Sequence, residues 1–396
     1  LFFMTIVVAL FLGLIISAEE IFRDRKILKR EAFLNLSRSG YLVSKILILF
    51  AISAIQAILF ILIGNAILGV KGMNFQYWLA YFSVAAFGNM LALNISASFN
   101  SNVTIYILIP LLLIPEMILG GAMFSFDKLN KKVSSVGRVP WIAEIMVTKW
   151  AYEALMVYQF KNNEFEKYFY DVEKIESIAD YKQVYYLPEL NKKLDKCIDD
   201  FNLNMVSEET EKELILLQNE FNKELSFNNE IEFNLINYLN VDSFTPSVGL
   251  SAKEYLQKLD KFYSRIFQLA YNKKEERISF LVSRNPGTYR QRRNDYHNES
   301  VEEIVKKIFE KNKIVEDDNE LIQHVDPIYQ DPQISSLLDI RSHFYAPRKH
   351  FAGKLYDTFN FNIVVIWILT ILLYITLYYE HLKKLLAISE KFNKKK

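Results

Sequence analysis

The chain has 396 residues, with 47 Lys and Arg against 46 Asp and Glu, a formal net charge of +1 and a mean hydropathy of +0.06. That balance gives no global reason to expect nucleic-acid binding, and a single Cys, Cys197, excludes an intrachain disulfide framework or a multi-Cys metal cluster. The 12 Gly and 9 Pro exclude a collagen-like or low-complexity chain, and the averages resemble soluble proteins, but the charges are very unevenly placed.

Leu1–Ala18 carries no charge. Leu1 is not an initiator Met and already lies in an apolar run, so the segment reads as a membrane span with chain missing before it, not as a signal peptide. Ile46–Val70, Gly72–Pro115 and Thr358–Tyr379 are also uncharged, each at or above the ~18–20 residues that cross a bilayer as a helix. Gly72–Pro115 is too long for one span and is cut at the polar patch Ser98–Asn102. Spans are therefore expected at about 1–18, 46–70, 76–98, 103–124 and 358–379.

The loop Glu19–Lys45 carries Arg23, Arg25, Lys26, Lys29, Arg30, Arg38 and Lys45, and the tail carries Lys383, Lys384, Lys391 and Lys394–Lys396. Enrichment of short cytoplasmic loops in Lys and Arg places both inside, and counting spans puts them on one side independently. Residues 161–354 then form a large extracytoplasmic insert in an integral, multi-pass protein of a plasma or inner membrane. Glu208–Leu225, Ala252–Phe280 and Val301–Phe309 show apolar residues at helical spacing, with breaks at Thr245-Pro246-Ser247 and Asn285-Pro286-Gly287. Asn298 is placed to cap the last of these. Residues 139–160 are apolar and aromatic, interrupted by Glu144, Lys149 and Glu153. They read either as an amphipathic helix in the interface or as a re-entrant hairpin whose backbone is covered by protein.

The expected fold is an all-α polytopic helical bundle: a transmembrane core over 1–160, with a cytoplasmic loop at 19–45 and the 139–160 segment, the mainly helical insert at 161–354, and a last span with a basic tail at 355–396. Glu116 is the only acidic or basic residue within an expected span. A carboxylate there is costly and marks function by default, unless it reaches interfacial water at the span's outer end.

The order of several motifs resembles the membrane domain of ATP-binding-cassette exporters of the White/pleiotropic-drug-resistance (G) subfamily. Leu1-Phe2-Phe3 opens a span that runs into Phe22–Glu31, ending in Arg30-Glu31; Ser39-Gly40-Tyr41 and Ser44-Lys45 follow. Pro115–Gly121 matches the family's Pro-x-x-x-x-x-Gly at the outer end of a span. Pro140-Trp141, Trp150-Ala151-Tyr152-Glu153-Ala154-Leu155 and Asn163-Glu164-Phe165 match its re-entrant segment. The resemblance covers residues 1–165 and 355–380. It does not cover the insert, which replaces a loop that is usually short in the family.

The resemblance implies a transmembrane permease that moves a lipophilic or amphipathic substrate by alternating access. It implies a dimer with a second protomer, seated in membrane lipid. It also implies a coupling helix with Arg23, Asp24, Arg25, Arg30 and Glu31 as contacts. A substrate cavity would be lined by Val7, Phe11, Pro110, Ile114, Glu116 and Met117, and an outer gate formed by Gly120, Gly121, Ala122 and Met123. No G-x-x-x-x-G-K-[ST] loop occurs, so no ATPase or cofactor site is expected in this chain. ATP and Mg would sit on a nucleotide-binding domain, N-terminal in the full-length protein. An outer-loop Cys such as Cys197 either bridges two protomers or is a free thiol. The competing class is a non-transporting membrane protein whose outer domain binds a partner and relays a signal.

Overall fold

The computed structural model describes residues 2–31, 37–126, 129, 137–228, 230–284, 286–332 and 339–393, and the side chains of Lys29, Glu31, Pro286 and residues 389–393 lie outside the described set. Two compact units emerge: Leu1–Asn163 with Asp331–Lys396, and Glu164–Gln330.

The first unit contains helices α1 (Phe2–Ser17), α2 (Glu20–Glu31), α3 (Arg38–Leu68), α4 (Asn74–Ser98), α5 (Asn102–Ile118) and α6 (Val147–Lys161). The remaining helices of the chain are α7 (Tyr170–Tyr181), α8 (Leu187–Asn202), α9 (Glu208–Phe227), α10 (Pro246–Arg284), α11 (Pro286–Tyr296), α12 (Glu299–Lys306), α13 (Thr358–Tyr378) and α14 (His381–Asn393). Among the described residues, four helical runs are long and apolar enough to cross a membrane: Phe2–Leu28, Arg38–Leu68, Asn74–Ser98 and Thr358–Tyr378. With the shorter apolar α5, this is an all-α polytopic membrane protein. The expected turn at 98–102 separates α4 from α5. The span expected to reach 124 stops as a helix at Ile118, after Pro110 and Pro115 have each removed a backbone donor.

Helix α4 is the hub. Its partners α1, α3, α6 and α13 all hydrogen-bond to it. Asn89 accepts from the Ser17 hydroxyl of α1 (3.0 Å) and donates to the Ser53 hydroxyl of α3 (2.8 Å). Asn94 donates to the Leu373 carbonyl (2.9 Å) and accepts from Thr376 (3.0 Å), both on α13. Tyr77 donates to Gln159 of α6 (2.7 Å). Each such bond in a membrane bundle is worth about 0.6–2 kcal/mol, because lipid tails offer no alternative partner. The α1–α4 crossing is tighter still: a Cβ on Gly13 would sit 2.3 Å from the Ala85 carbonyl, and one on Gly88 2.8 Å from that of Leu10. Only glycine permits this backbone approach.

Two short hairpins interrupt the helical pattern and were not expected from sequence. Strands β1 (Ile314–Asp317) and β2 (Glu320–Gln323) pair antiparallel, as do β3 (Arg348–Phe351) and β4 (Lys354–Asp357). Each has a two-residue turn with both φ positive, Asp318-Asn319 (50°, 57°) and Ala352-Gly353 (49°, 78°), the geometry that matches strand twist. Strand β4 leads directly into α13.

The second unit packs α7–α10 around a core that includes Leu190, Leu194, Leu217, Phe221, Tyr255 and Leu259. Helix α9 begins with a reciprocal cap: the Ser207 hydroxyl accepts from Thr210 N–H and the Thr210 hydroxyl accepts from Ser207 N–H. Helix α10 starts at Pro246; of the break expected at 285–287, Asn285 lies outside the described residues, and Pro286 and Gly287 open α11. Asn298 caps α12 by accepting from Val301 N–H (3.2 Å). Buried Glu220 accepts from Tyr186 and from Leu321 N–H (both 2.9 Å), tying β2 to α9.

Cys197 is free and fully buried in this core, and burial pushes its thiol up to about 12. An interprotomer bridge would need an exposed sulfur, so the free-thiol alternative fits.

Near the start of this unit, burial and the adjacent Glu173 carboxyl hold Glu166 protonated above the usual carboxylate range. The charged and titratable groups around the pair are His297, Glu302, Lys306, Lys274 and Tyr329. An acid whose folded pKa is raised keeps a proton that the unfolded chain has lost, so its contribution to stability falls as pH rises above the unfolded value of about 4.5. Residues 164–330 expressed alone should fold, and Glu166→Gln should flatten the decline in their unfolding free energy between pH 5 and 8. The difference in slope from wild type should not exceed about 1.4 kcal/mol per pH unit. Denaturant titrations at several pH values measure it, and parallel curves would refute it.

Candidate functional site

Two polar constellations stand out in the membrane unit. The first is where α1 turns into α2 beside the end of α4. The Ser96 hydroxyl of α4 accepts from Ile21 N–H (3.2 Å) and Phe22 N–H (2.9 Å), donors in the first turn of α2 that have no partner within their own helix. In return, the Arg25 guanidinium of α2 donates to the Ser96 (3.0 Å) and Ala97 (2.7 Å) carbonyls and to Asn100, neutralising the negative end of α4. The two helix ends cap each other.

Lys45 of α3 adds a second tie, bonding Glu20 (2.7 Å) and Asp24 (2.8 Å) of α2, and Tyr41 donates to Asp24 (3.0 Å). Of the positions proposed for coupling, Asp24 and Arg25 therefore face the bundle. Arg23 and Arg30 are exposed, and the side chain of Glu31 lies outside the described residues. Exposed Arg23, Lys26, Ile27 and Arg30 fall at i, i+3, i+4 and i+7, one face of the helix. Lys45, the partner of Glu20, stands in the sequence at the mouth of the next span.

The second constellation surrounds α6. Glu116 of α5 is buried, and its carboxylate accepts from Thr148 N–H (3.0 Å) and the Thr148 hydroxyl (2.7 Å), with Val147 N–H at 3.4 Å. It thus caps the positive start of α6. Further along, Glu153 is fully buried between Lys349 of β3 (2.6 Å) and Lys149 (3.6 Å). Asn362 of α13 (3.1 Å) and Tyr345 N–H (3.1 Å) complete its acceptor sites. Lys149 also reaches Glu144 (2.8 Å) and stands 3.5 Å from the centre of the Trp150 ring, a cation–π contact. Helix α6 is buried on nearly every side, against α1, α4, α5 and α13, unlike a helix lying in an interface.

The proposed cavity residues divide. Phe11, Pro110 and Ile114 are exposed on the neighbouring helices α1 and α5, among Met4, Val8, Ile107 and Leu111. Val7 and Glu116 are buried within the unit, and Met117 is half-buried. At the proposed gate, a Cβ on Gly120 would meet the Phe3 ring at 2.4 Å, and Gly121 has φ +80° against Phe344, so both positions demand glycine. Ala122 and Met123 are exposed.

Residues 1–160 match the family model of the ABC-2 type transporter. This stretch is similar to the ABC-2 permease domain, which is the membrane part of ABC transporters. No curated protein and no solved structure matches the chain.

The buried cluster carries a sharp expectation. Glu153→Ala leaves two buried ammonium groups short of a counter-charge and should cost about 3–5 kcal/mol. Glu153→Leu combined with Lys349→Met should recover most of that, since apolar replacement of a buried pair is often near neutral. Thermal unfolding in detergent ranks the variants; additive losses would refute a coupled pair.

Proposed function

We propose that this chain is the permease of an ATP-driven exporter of the White/pleiotropic-drug-resistance kind, acting as a dimer on a lipophilic or amphipathic substrate. The observation that carries the reading is the construction of α2. One face is bound to the ends of α3 and α4 by an ion-pair network and mutual caps, and the opposite face presents Arg23, Lys26, Ile27 and Arg30 to solvent. The match of residues 1–160 to a transporter family favours this over a signal-relaying protein.

A nucleotide-binding domain, in the same polypeptide or another, would hold ATP and Mg and engage that exposed face, with Glu31 at its end. Closure of the ATP-binding domains displaces α2, and the Lys45 and Arg25 ties carry the displacement into α3 and α4 together. A discrete rocking of rigid helices, hinged at the turn between α1 and α2, then exchanges inward and outward access. Phe11, Pro110 and Ile114 offer an apolar wall that a second protomer would close into a cavity, while Glu116 holds α6 in place as a re-entrant element. Gly120 and Gly121 let the outer end close against Phe3 and Phe344. Arg30 and the tail face the cytoplasm; residues 164–330 face outward.

Arg30→Glu, Ile27→Glu and Glu31→Ala in the complete transporter should reduce substrate-stimulated ATP hydrolysis and export together, by about tenfold for a contact worth 1.4 kcal/mol. The melting temperature of the permease should not change. Normal export from all three removes α2 from the coupling role. Orientation is tested separately. Native Cys197 is too buried to label, so Leu203→Cys in a Cys197→Ala background provides an exposed thiol. It should react with a membrane-impermeant maleimide added to whole cells; reaction only after permeabilisation reverses the topology.

A further inference from the structure

Helix α14 is not used by the transport reading, yet its surface is unlike that of a helix meant for water. The last span, α13, ends in Tyr374, Tyr378 and Tyr379, and amphipathic aromatic rings of this kind favour the membrane–water boundary. Immediately after them Glu380 adopts φ +52° and breaks the helix axis. Its carboxylate is held by Arg38 at the start of α3 (3.0 Å), and Arg38 also donates to the Leu377 carbonyl (3.3 Å). The start of α14 is thereby fixed at the level where the span leaves the bilayer.

Within α14, Leu382 and Leu386 are half-buried, and the helix packs on the end of α4. Leu385 and Ile388 are 64% and 52% exposed. Exposed Lys384 lies one turn before Ile388 on the same side of the helix, exposed Lys383 pairs with Glu380 (3.2 Å), and the sequence adds Lys391 and Lys394–Lys396 against a single further acid, Glu390. Six lysines within eighteen residues of a span's end, beside exposed aliphatic side chains, match the chemistry of an anionic lipid surface.

We propose that α14 is an interfacial anchor, with Leu385 and Ile388 inserted at the headgroup–acyl boundary and its lysines binding anionic phospholipid headgroups. The inference rests on α13 being a span and is independent of the direction or substrate of transport. Charge complementarity and the tether to α13 select the leaflet over a protein partner as the occupant.

The test uses the full chain in nanodiscs of phosphatidylcholine, with or without phosphatidylglycerol. Ile388→Cys carries an environment-sensitive fluorophore in a Cys197→Ala background. With phosphatidylglycerol the emission should shift to the blue and be quenched by brominated lipid. About 0.5 M salt should weaken both effects, because surface electrostatics are screened. Lys383→Gln, Lys384→Gln and Lys391→Gln together should lower the seated-to-free ratio by about a hundredfold, at roughly fivefold per lysine. An unchanged thermal transition of the bundle confirms that the variant is folded. Aqueous emission in every membrane overturns the proposal. Equal burial regardless of lipid charge and lysines also overturns it, leaving apolar seating alone. Shielding that appears only on adding an ATP-binding partner assigns the face to protein instead.

Discussion

The ends of α4 and α2 cap each other, and the membrane unit is organised around that exchange. A helix end buried without partners leaves several backbone donors or acceptors unsatisfied, which is costly wherever water is scarce. Here Ser96 supplies acceptors to the start of α2, and Arg25 supplies donors to the end of α4. The charge that makes α2 look like an ordinary solvated loop is therefore partly structural. Because α4 also hydrogen-bonds α1, α3, α6 and α13, a force applied to α2 reaches the bundle through its most connected element.

The α6 region obeys the same constraint with full charges. Glu116 caps the start of α6, Asn362 bonds its Trp150 carbonyl (3.0 Å), and Glu153 joins Lys149 to Lys349. The β3–β4 hairpin is what delivers Lys349, and the tight Ala352-Gly353 turn sets its register. One ion cluster thus fixes three separated stretches of chain: α6, the hairpin and the first turns of α13. A buried salt bridge is weak evidence for net stability. Its value here lies in specifying which segments meet.

The spans were legible because uncharged runs of sufficient length admit little else, and the cut at 98–102 followed from a polar patch. In residues 164–330, helical spacing located α9, α10 and α12, and Pro246 and Asn298 marked the starts of the last two. The hairpins were not legible: four-residue strands leave no periodic signal, and neither Asp318-Asn319 nor Ala352-Gly353 was read as a turn. The ion cluster was hidden by distance, since Lys349 lies far along the chain from Glu153. Lys149 and Glu153 were read as interruptions of an apolar segment, although their i, i+4 spacing was a usable clue. Glu116 was correctly marked as unusual, but its partner, the start of α6, appears only once α5 and α6 are packed. Arg25 and Asp24 were placed in the right helix; which face each occupies depended on Ser96 and Lys45, residues of other helices.

The central claim is that the exposed face of α2 receives an ATP-binding domain. Photo-crosslinking residues placed at Ile27 and Arg30 in native membranes test it most directly, with Ile55, exposed in the middle of α3, as the control. The expected result is an adduct from Ile27 and Arg30, but not Ile55, to a peptide carrying a nucleotide-binding sequence, with a yield that changes when ATP is added. Adducts only to lipid, or a yield indifferent to nucleotide, would contradict it.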